Sequence, residues 1–198
     1  MECLLNVDSN FDTFIKHYEF IEKFEPNHSM NQYLYGKYLE KKKDFENAKA
    51  AYQKALNLLP TIPQPNLALG ELFAAENRID EAIEYYEAAL KDKQTQKRAQ
   101  LQLAKLYAIT KKYDNLIKLW DVQPNNALNA YHLGLAYYKK AIALIDSEKG
   151  NDAKQQFEKA YIYLSAVLRL NNEDELARNL LEKIAIRLRE QGDKERNN

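Results

Sequence analysis

The sequence predicts an all-α protein, an α-solenoid of antiparallel helix pairs, on three observations. Residues of the same type recur 34 positions apart: Gly36 and Gly70 do so, and so do Tyr52 and Tyr86. Within each repeat, apolar residues follow one another at steps of three and four, the period of a helix packed on one side. The chain has only 5 Gly and 5 Pro in 198 residues, which argues against a loop-rich or β-rich fold. Repeats of this length bury a core by stacking, so a solenoid is expected.

The first predicted helix, Phe11–Phe24, lies before the regular repeats. Its apolar residues recur at helical steps, and Asn10 is a suitable N-cap. Pro26 ends the helix, because the residue before a proline avoids the helical conformation. Pro26 also precedes Pro60 by 34 residues, so we interpret this helix as the second half of an incomplete repeat. Residues 1–10 carry little pattern, and we expect them to be partly disordered.

The next two units are the most regular. Their four helices are predicted at residues 29–42, 44–59, 64–76 and 80–91. Gly36 falls inside the first of these helices, where glycine is less favourable than alanine by about 1 kcal/mol. We therefore expect it to allow a close approach of the neighbouring helix, with the small Ala48 opposite. Pro60, Pro63 and Pro65 predict a stiff turn between the two units.

The third unit departs from this pattern. Ala104 takes the place of the glycine, and Trp120 takes the place of the second-helix tyrosine. Because Pro124 arrives four residues early, we predict a short second helix at residues 113–122. The repeat requires an aromatic core residue at this place, so Trp120 is interpreted as a core residue.

The fourth unit restores the glycine as Gly134 but has a longer connection between its helices. The connection is seven residues longer than in the first unit if the second-helix places are taken by Ala153, Phe157 and Ala160. We expect the additional residues to lengthen the first helix through Ile145 and to form a loop around Gly150.

A last helix is predicted after Asn172, which is a suitable N-cap with Glu175 at the third helical position. Its acidic residues lead and Arg187 and Arg189 follow, as the helix dipole favours. Such a helix would cap the exposed end of the stack. The chain thus divides into an N-terminal segment with a half repeat, four repeat units, and a capping helix with a frayed tail. The limits are residues 1–28, 29–170 and 171–198.

The composition narrows the possible functions. Lys and Arg together number 29, as do Asp and Glu, so no strong field favours nucleic acid or an anionic membrane surface. Cys3 is the single cysteine, and with three dispersed histidines it cannot build a disulfide or a structural zinc site. We expect no metal and no cofactor. No apolar run approaches the roughly 20 residues of a membrane span. The N-terminus lacks a signal peptide, which predicts a cytoplasmic location, or an exported one if the sequence is truncated.

An enzymatic function finds little support. His17, His28 and His132 have no nearby nucleophile or carboxylate in an active-site spacing. The sequence also contains no glycine-rich phosphate-binding loop. We therefore predict that the protein is not an enzyme.

One pattern of residues occurs twice. It begins with an aromatic residue or leucine followed directly by glycine. A leucine or phenylalanine comes next, and then alanine, tyrosine and alanine. In the second unit the pattern consists of Leu69, Gly70, Phe73, Ala82, Tyr86 and Ala89. It resembles the tetratricopeptide repeat (TPR) family, closely in two units and partially in the next two, over about residues 29–170. The resemblance implies a right-handed superhelix without enzymatic activity. First helices would line a concave groove that holds a peptide or protein surface.

The groove can be located by offset from the glycine, because residues spaced this way share the helix face turned away from the core. The predicted groove residues are Tyr33, Lys37, Leu67, Glu71, Leu101, Lys105, Tyr131, Leu135 and Tyr138. Apolar residues next to charges are typical of a binding site. Alternatively, the chain itself buries these residues, or a partner uses the convex face or an end of the solenoid.

The resemblance also allows one known binding mode to be examined. TPR co-chaperones hold the C-terminal carboxylates of chaperones with Lys, Asn and Arg. The corresponding places here hold Tyr33, Lys37, Ala68, Arg98 and Gln102. Only Arg98 is compatible in charge, so we predict no carboxylate clamp.

The preferred hypothesis is an adaptor that binds a peptide segment of a partner protein in the groove. The alternation of Lys37, Glu71 and Lys105 would set the register of that segment by charge pairing. The alternative is a structural or assembly factor of a larger complex, such as a pilus or a secretion machine, or a self-associating scaffold and thus a possible homo-oligomer. The sequence does not identify the partner.

Overall fold

The structure, a computed structural model, describes residues 11–25, 27–121, 126–147 and 150–197. Over these ranges it contains ten helices and no strand, so the all-α prediction is confirmed. The helices are α1 Phe11–Phe24, α2 Ser29–Lys41, α3 Phe45–Leu58, α4 Gln64–Ala75, α5 Ile79–Ala89, α6 Lys93–Ile109, α7 Tyr113–Trp120, α8 Ala127–Asp146, α9 Gly150–Leu170 and α10 Glu175–Asn197. The predictions made for residues 1–10, Pro26, Val122 and Pro124 lie outside the described residues.

The helices group into two compact units. Unit 1 extends to Leu103 and contains α1–α5 with most of α6, and unit 2 begins at Ala104 and contains the later helices. The division into four repeat units between an N-terminal segment and a capping helix stays a prediction.

In unit 1, each mid-helix glycine lies against a tyrosine ring of the second helix of its pair. A Cβ atom at Gly36 would lie 2.6 Å from Cδ1 of Tyr52, and one at Gly70 would lie 2.7 Å from Cδ1 of Tyr86. Both tyrosines are buried. The neighbouring helix does come close to each glycine, but it does so through an aromatic ring and not, as expected for Gly36, at the small Ala48.

The turns inside the helix pairs repeat as well. Lys43, Asn77 and Lys111 have positive φ angles of 63°, 60° and 57°, each just after the first helix of its pair. A left-handed residue at this place reverses the chain and ends the helix. The three positions are 34 residues apart, so one turn geometry is used three times.

In unit 2, the register of α8 against α9 differs from the prediction. A Cβ atom at Gly134 would lie 2.6 Å from Cγ of Leu164 and 3.3 Å from the carbonyl oxygen of Ala160. Leu164, not Phe157, therefore occupies the place that Tyr52 has opposite Gly36. Leu164 follows its glycine by 30 residues and Tyr52 follows its own by 16.

The 14 additional residues lengthen both helices of this pair by two turns, since a turn has about 3.6 residues. α8 continues through Ile145 as predicted and ends at Asp146. Gly150 is the first residue of α9, where a loop had been expected. The added turns pack on each other, and the rings of Tyr138 and Phe157 lie 5.9 Å apart.

α10 packs on this long pair through Ala177 and Ile184, which are buried. The backbone N–H of Ala177 donates to Oδ1 of Asp174 at 2.9 Å. Asp174 is thus the N-cap, not Asn172, and the helix continues through the residues expected to be frayed, to Asn197.

Candidate functional site

Unit 1 brings together five of the predicted groove residues on its first helices α2, α4 and α6. Tyr33 and Lys37 lie on α2, Leu67 and Glu71 on α4, and Leu101 on α6. Leu101 is 41% exposed and the other four are half-buried. We refer to this surface, together with Glu40 and Arg98, as the first-helix face.

Four charged side chains form a cluster on the first-helix face. Nζ of Lys37 lies 3.5 Å from Oε2 of Glu40, both on α2. Nε of Arg98 on α6 lies 2.8 Å from Oε1 of Glu71 on α4. Lys37 also lowers the pKa of Glu71, which indicates that the two pairs are close. The cluster therefore joins three consecutive first helices.

Glu71 has the least exposed side chain of this cluster, at 25%. Burial raises the pKa of its carboxyl, and the attraction of Arg98 and Lys37 offsets only part of that rise. Its Oε1 is buried and lies 2.8 Å from Nε of Arg98, so this oxygen is already paired. A carboxylate has about four acceptor sites, and this ion pair leaves others open. One acceptor on this face is thus available to a donor from outside.

Second-helix tyrosines also contribute to the first-helix face, which the sequence analysis missed. The hydroxyl of Tyr52 donates to Oε2 of Glu40 at 2.7 Å, so it reaches past Gly36 to a first-helix side chain. The pKa of Tyr86 is raised to about 12, chiefly by burial and also by the charge of Glu71, against a lowering by Arg98. The Tyr86 hydroxyl is therefore near that ion pair. The signal in the sequence was the glycine, which leaves room for the ring.

The aromatic residue Tyr33 is partly used by the protein itself. Its ring lies 5.8 Å from that of Tyr52 and packs on the core of unit 1. Because Tyr33 packs against the protein's own core, it is less available to a partner than a fully exposed side chain. Leu101 offers more apolar area to a partner.

Unit 2 contains the other four predicted residues, which are Lys105, Tyr131, Leu135 and Tyr138. Lys105 is exposed, and the remaining three are half-buried. Tyr131 and Tyr138 pack on the core formed by α8, α9 and α10. Burial and, to a smaller extent, Asp174 raise the pKa of Tyr131. The predicted residues thus fall into two groups, one in each unit.

The region around Trp120 serves the core, as predicted for this residue. Trp120 is 2% exposed, and its ring stacks on that of His132 with centroids 4.1 Å apart. Burial lowers the pKa of His132. Nε1 of Trp120 is buried and has no acceptor among the described residues.

In the part of the chain that the structure describes, no residues are suited to a metal site or to a membrane-spanning helix. There, no three His, Cys, Asp or Glu side chains are grouped so that they could hold a metal ion. Over the same ranges, none of the helices combines the length and apolar content needed to cross a bilayer. A cavity of about 450 Å³ lies at the turns before α2, α4 and α6 and is lined by His28, Ile62 and Gln64, among others.

Part of the chain matches a known protein family. Residues 31–61 and 64–91 match the tetratricopeptide repeat family. These matches coincide with α2–α3 and α4–α5, whose glycines and tyrosines carry the predicted resemblance. The chain thus contains two tetratricopeptide repeats, at residues 31–61 and 64–91. No curated protein matches the sequence.

Several solved structures share the fold. MamA is 18% identical with a TM-score of 0.53, over 85% of this chain and 92% of that one. YrrB, a TPR protein with an unusual peptide-binding site, is 13% identical with a TM-score of 0.50, over 82% and 96%. The human IFIT1 dimer with m7Gppp-AAAA is 17% identical with a TM-score of 0.50, over 89% and 44%. The chain thus spans less than half of the IFIT1 length. At these identities the likeness shows the fold alone, and it confirms the α-solenoid class.

Proposed function

We propose that the protein is a non-enzymatic adaptor that binds a peptide segment of a partner protein on the first-helix face. The TPR fold suggests a role in protein–protein interaction. The main support for this particular surface is that exposed Leu101 lies beside a cluster of four charges on three adjacent helices. Apolar area surrounded by charge is what a binding site for a peptide needs. YrrB, which has a peptide-binding site, shares the fold.

Removal of apolar anchors tests this proposal. A tagged chain is used to capture partners from an extract of its native cells, with the wild type and a Leu67→Ala/Leu101→Ala variant side by side. We expect the variant to lose at least about tenfold in capture, since full burial of one leucine side chain contributes about 1.5–3 kcal/mol. The matched control is Leu128→Ala/Leu176→Ala, which removes two exposed leucines from unit 2. Equal capture by both variants would contradict the proposal.

The groove residues of unit 2 are a second arm of the same test. The variant Tyr131→Ala/Leu135→Ala removes apolar area from that group. If unit 2 also contacts the partner, capture should fall without unfolding of the chain, as monitored by circular dichroism. If capture falls only for the unit 1 variant, the binding surface is the first-helix face alone.

A structural or assembly role is the second candidate, and α1 favours it. Phe20 and Phe24 are each 64% exposed, and their ring centroids lie 4.8 Å apart. Paired exposed aromatic rings are suited to contact with another protein or another copy. Light scattering over a range of concentrations tests this role. A mass that is constant and monomeric would argue against self-association.

Further predictions accompany the adaptor proposal. We still predict that the protein does not catalyse a reaction, does not bind nucleic acid and has no carboxylate clamp. Its cytoplasmic location also stays a prediction. Arg98, the only clamp-compatible residue, is paired with Glu71. A capped RNA such as m7Gppp-AAAA, which IFIT1 binds, is a suitable probe for the nucleic-acid prediction. Saturable binding of that RNA would overturn it.

A further inference from the structure

The opening above Gly70 allows a buried tyrosine to reach the first-helix face. Cδ1 and Cε1 of Tyr86 both lie 2.7 Å from the position that a Cβ atom of Gly70 would take. Glu71 is the next residue, and Arg98 is 2.8 Å from its carboxylate. Burial raises the pKa of the Tyr86 hydroxyl, and the charges of Glu71 and Arg98 act on it as well, the first raising and the second lowering that pKa. Together with the ring position and the ion pair, this makes the Tyr86 hydroxyl, the Glu71 carboxylate and the Arg98 guanidinium three neighbouring polar groups.

Comparison of the two regular units shows that the Tyr86 hydroxyl lacks an internal acceptor. In the first unit, Tyr52 donates to Glu40. The residue 34 positions after Glu40 is Ala74, which offers no side-chain acceptor. Within the described ranges, no hydrogen bond of the Tyr86 hydroxyl is present. One donor is thus left over on this face.

The other two polar groups beside the Tyr86 hydroxyl are the Glu71 carboxylate, which is an acceptor, and the Arg98 guanidinium, which is a second donor. Oε1 of Glu71 is buried and pairs with Nε of Arg98 at 2.8 Å, and the remaining lone pairs of the carboxylate can accept a further hydrogen bond. The Arg98 side chain is 65% exposed, so its terminal N–H groups can reach a ligand. A ligand group at this place meets one acceptor and two kinds of donor.

The charge balance indicates which ligand chemistry fits. Lys37 and Arg98 balance Glu40 and Glu71, so the cluster is neutral. A further cation would meet Arg98, and a further anion would meet Glu71. A charge buried without its own partner is far less favourable than a neutral group whose hydrogen bonds are made. A carboxamide is neutral, and it has an N–H to donate to Glu71 and a carbonyl to accept from Tyr86 or Arg98.

We propose that Glu71, Tyr86 and Arg98 form a subsite for a carboxamide group of the bound peptide. The group is either a main-chain amide or the side chain of Asn or Gln. This inference rests on the proposed function, in which the first-helix face binds a peptide segment.

A random library of 12-residue peptides displayed on phage is the probe, selected on the full-length wild-type chain. Affinities of the selected peptides are then measured for wild type, Tyr86→Phe, Glu71→Leu and Tyr85→Phe. Tyr86→Phe removes only the hydroxyl and keeps the ring. Tyr85→Phe is the matched control, because its hydroxyl donates to Oε1 of Gln53 instead. Thermal melts verify that each variant is folded.

We expect Tyr86→Phe to weaken binding about threefold to tenfold, the loss of one neutral hydrogen bond, and Glu71→Leu to weaken it further. Tyr85→Phe should have no effect. If the carboxamide is a side chain, one Asn or Gln recurs among the peptides, and its replacement by Leu removes the sensitivity to Tyr86→Phe. If it is a main-chain amide, no such residue recurs, and N-methylation of one peptide bond has the same effect.

Two outcomes would overturn the inference while leaving peptide binding intact. In the first, selected peptides bind wild type and Tyr86→Phe equally well. In the second, the sensitivity to Tyr86→Phe depends on an acidic or basic peptide residue, which would mean recognition of charge. If the wild-type chain selects no peptide, the proposed function itself fails, and the subsite fails with it.

Discussion

Single residues carry much of the geometry of this protein, and the mid-helix glycines are the clearest case. Gly70 avoids a contact that any Cβ would make with the ring of Tyr86 at 2.7 Å. The sequence could show that a glycine in a helix needs a compensating role. It could not show that a hydroxyl from the second helix passes beside it, because the direction of a side chain depends on how the two helices pack.

We therefore expect Gly70→Ala to destabilise the chain by up to about 2 kcal/mol. Overpacking against the ring costs about 1–3 kcal/mol, and the better helix propensity of alanine returns about 1 kcal/mol. Urea denaturation followed by circular dichroism measures the difference. In a Tyr86→Ala background the ring is absent, so the same substitution should be neutral or stabilising. If Gly70→Ala destabilises equally in both backgrounds, the ring is not the cause.

His132 makes the stability of the protein depend on pH. Burial lowers its pKa in the folded state below the unfolded value of about 6.5. The unfolded chain binds the proton more readily, so stability falls as the pH drops from about 6.5 toward the folded-state pKa. We expect a loss that approaches about 1.4 kcal/mol for each unit of pKa difference.

Fluorescence of Trp120, which stacks on His132, reports the unfolding transition in urea at several pH values. The comparison is between wild type and His132→Phe, which keeps an aromatic ring against the indole. The pH-dependent difference between the two chains isolates the contribution of His132 from that of the carboxyl groups. Parallel stability curves for both chains would show that His132 titrates normally in the folded state.

At the scale of helices, the prediction was accurate where the repeat is regular and wrong in register where it is not. Prolines and glycines punctuate α2–α5, and their predicted limits differ from the observed ones by at most two residues. In α9, small and large apolar residues recur every seven positions, as Ala153 and Ala160 do, and Phe157 and Leu164. Seven residues make about two turns. A shift by seven therefore leaves the pattern unchanged, and sequence alone could not distinguish the two registers.

The two-turn extension predicts how the α8–α9 pair responds to deletion. Removal of residues 140–146 and 150–156 together takes two turns from both helices and restores the lengths of the first unit. If only one segment is removed, the added turns of the other helix lose the turns against which their apolar side packs. We expect each single deletion to lower the melting temperature more than the paired deletion does. The reverse order would show that the two segments are stabilised by other parts of the chain.

At the scale of the whole chain, the charge is balanced. Lys+Arg and Asp+Glu both number 29, so the net charge near pH 7 is zero. A protein without net charge has little repulsion between its copies. We expect the solubility to be lowest near neutral pH and to rise on both sides. Precipitation by polyethylene glycol between about pH 5 and 9 measures this. A solubility that increases steadily across the range would contradict the expectation.

The α8–α9 pair also differs in length from the helix pairs of the two regular units. The helices of the two regular units have 11 to 14 residues, whereas α8, α9 and α10 have 20, 21 and 23. A unit of ordinary length laid against α9 would leave a ledge about two turns deep uncovered. The α8–α9 pair therefore presents a longer packing surface than a helix of the two regular units could cover.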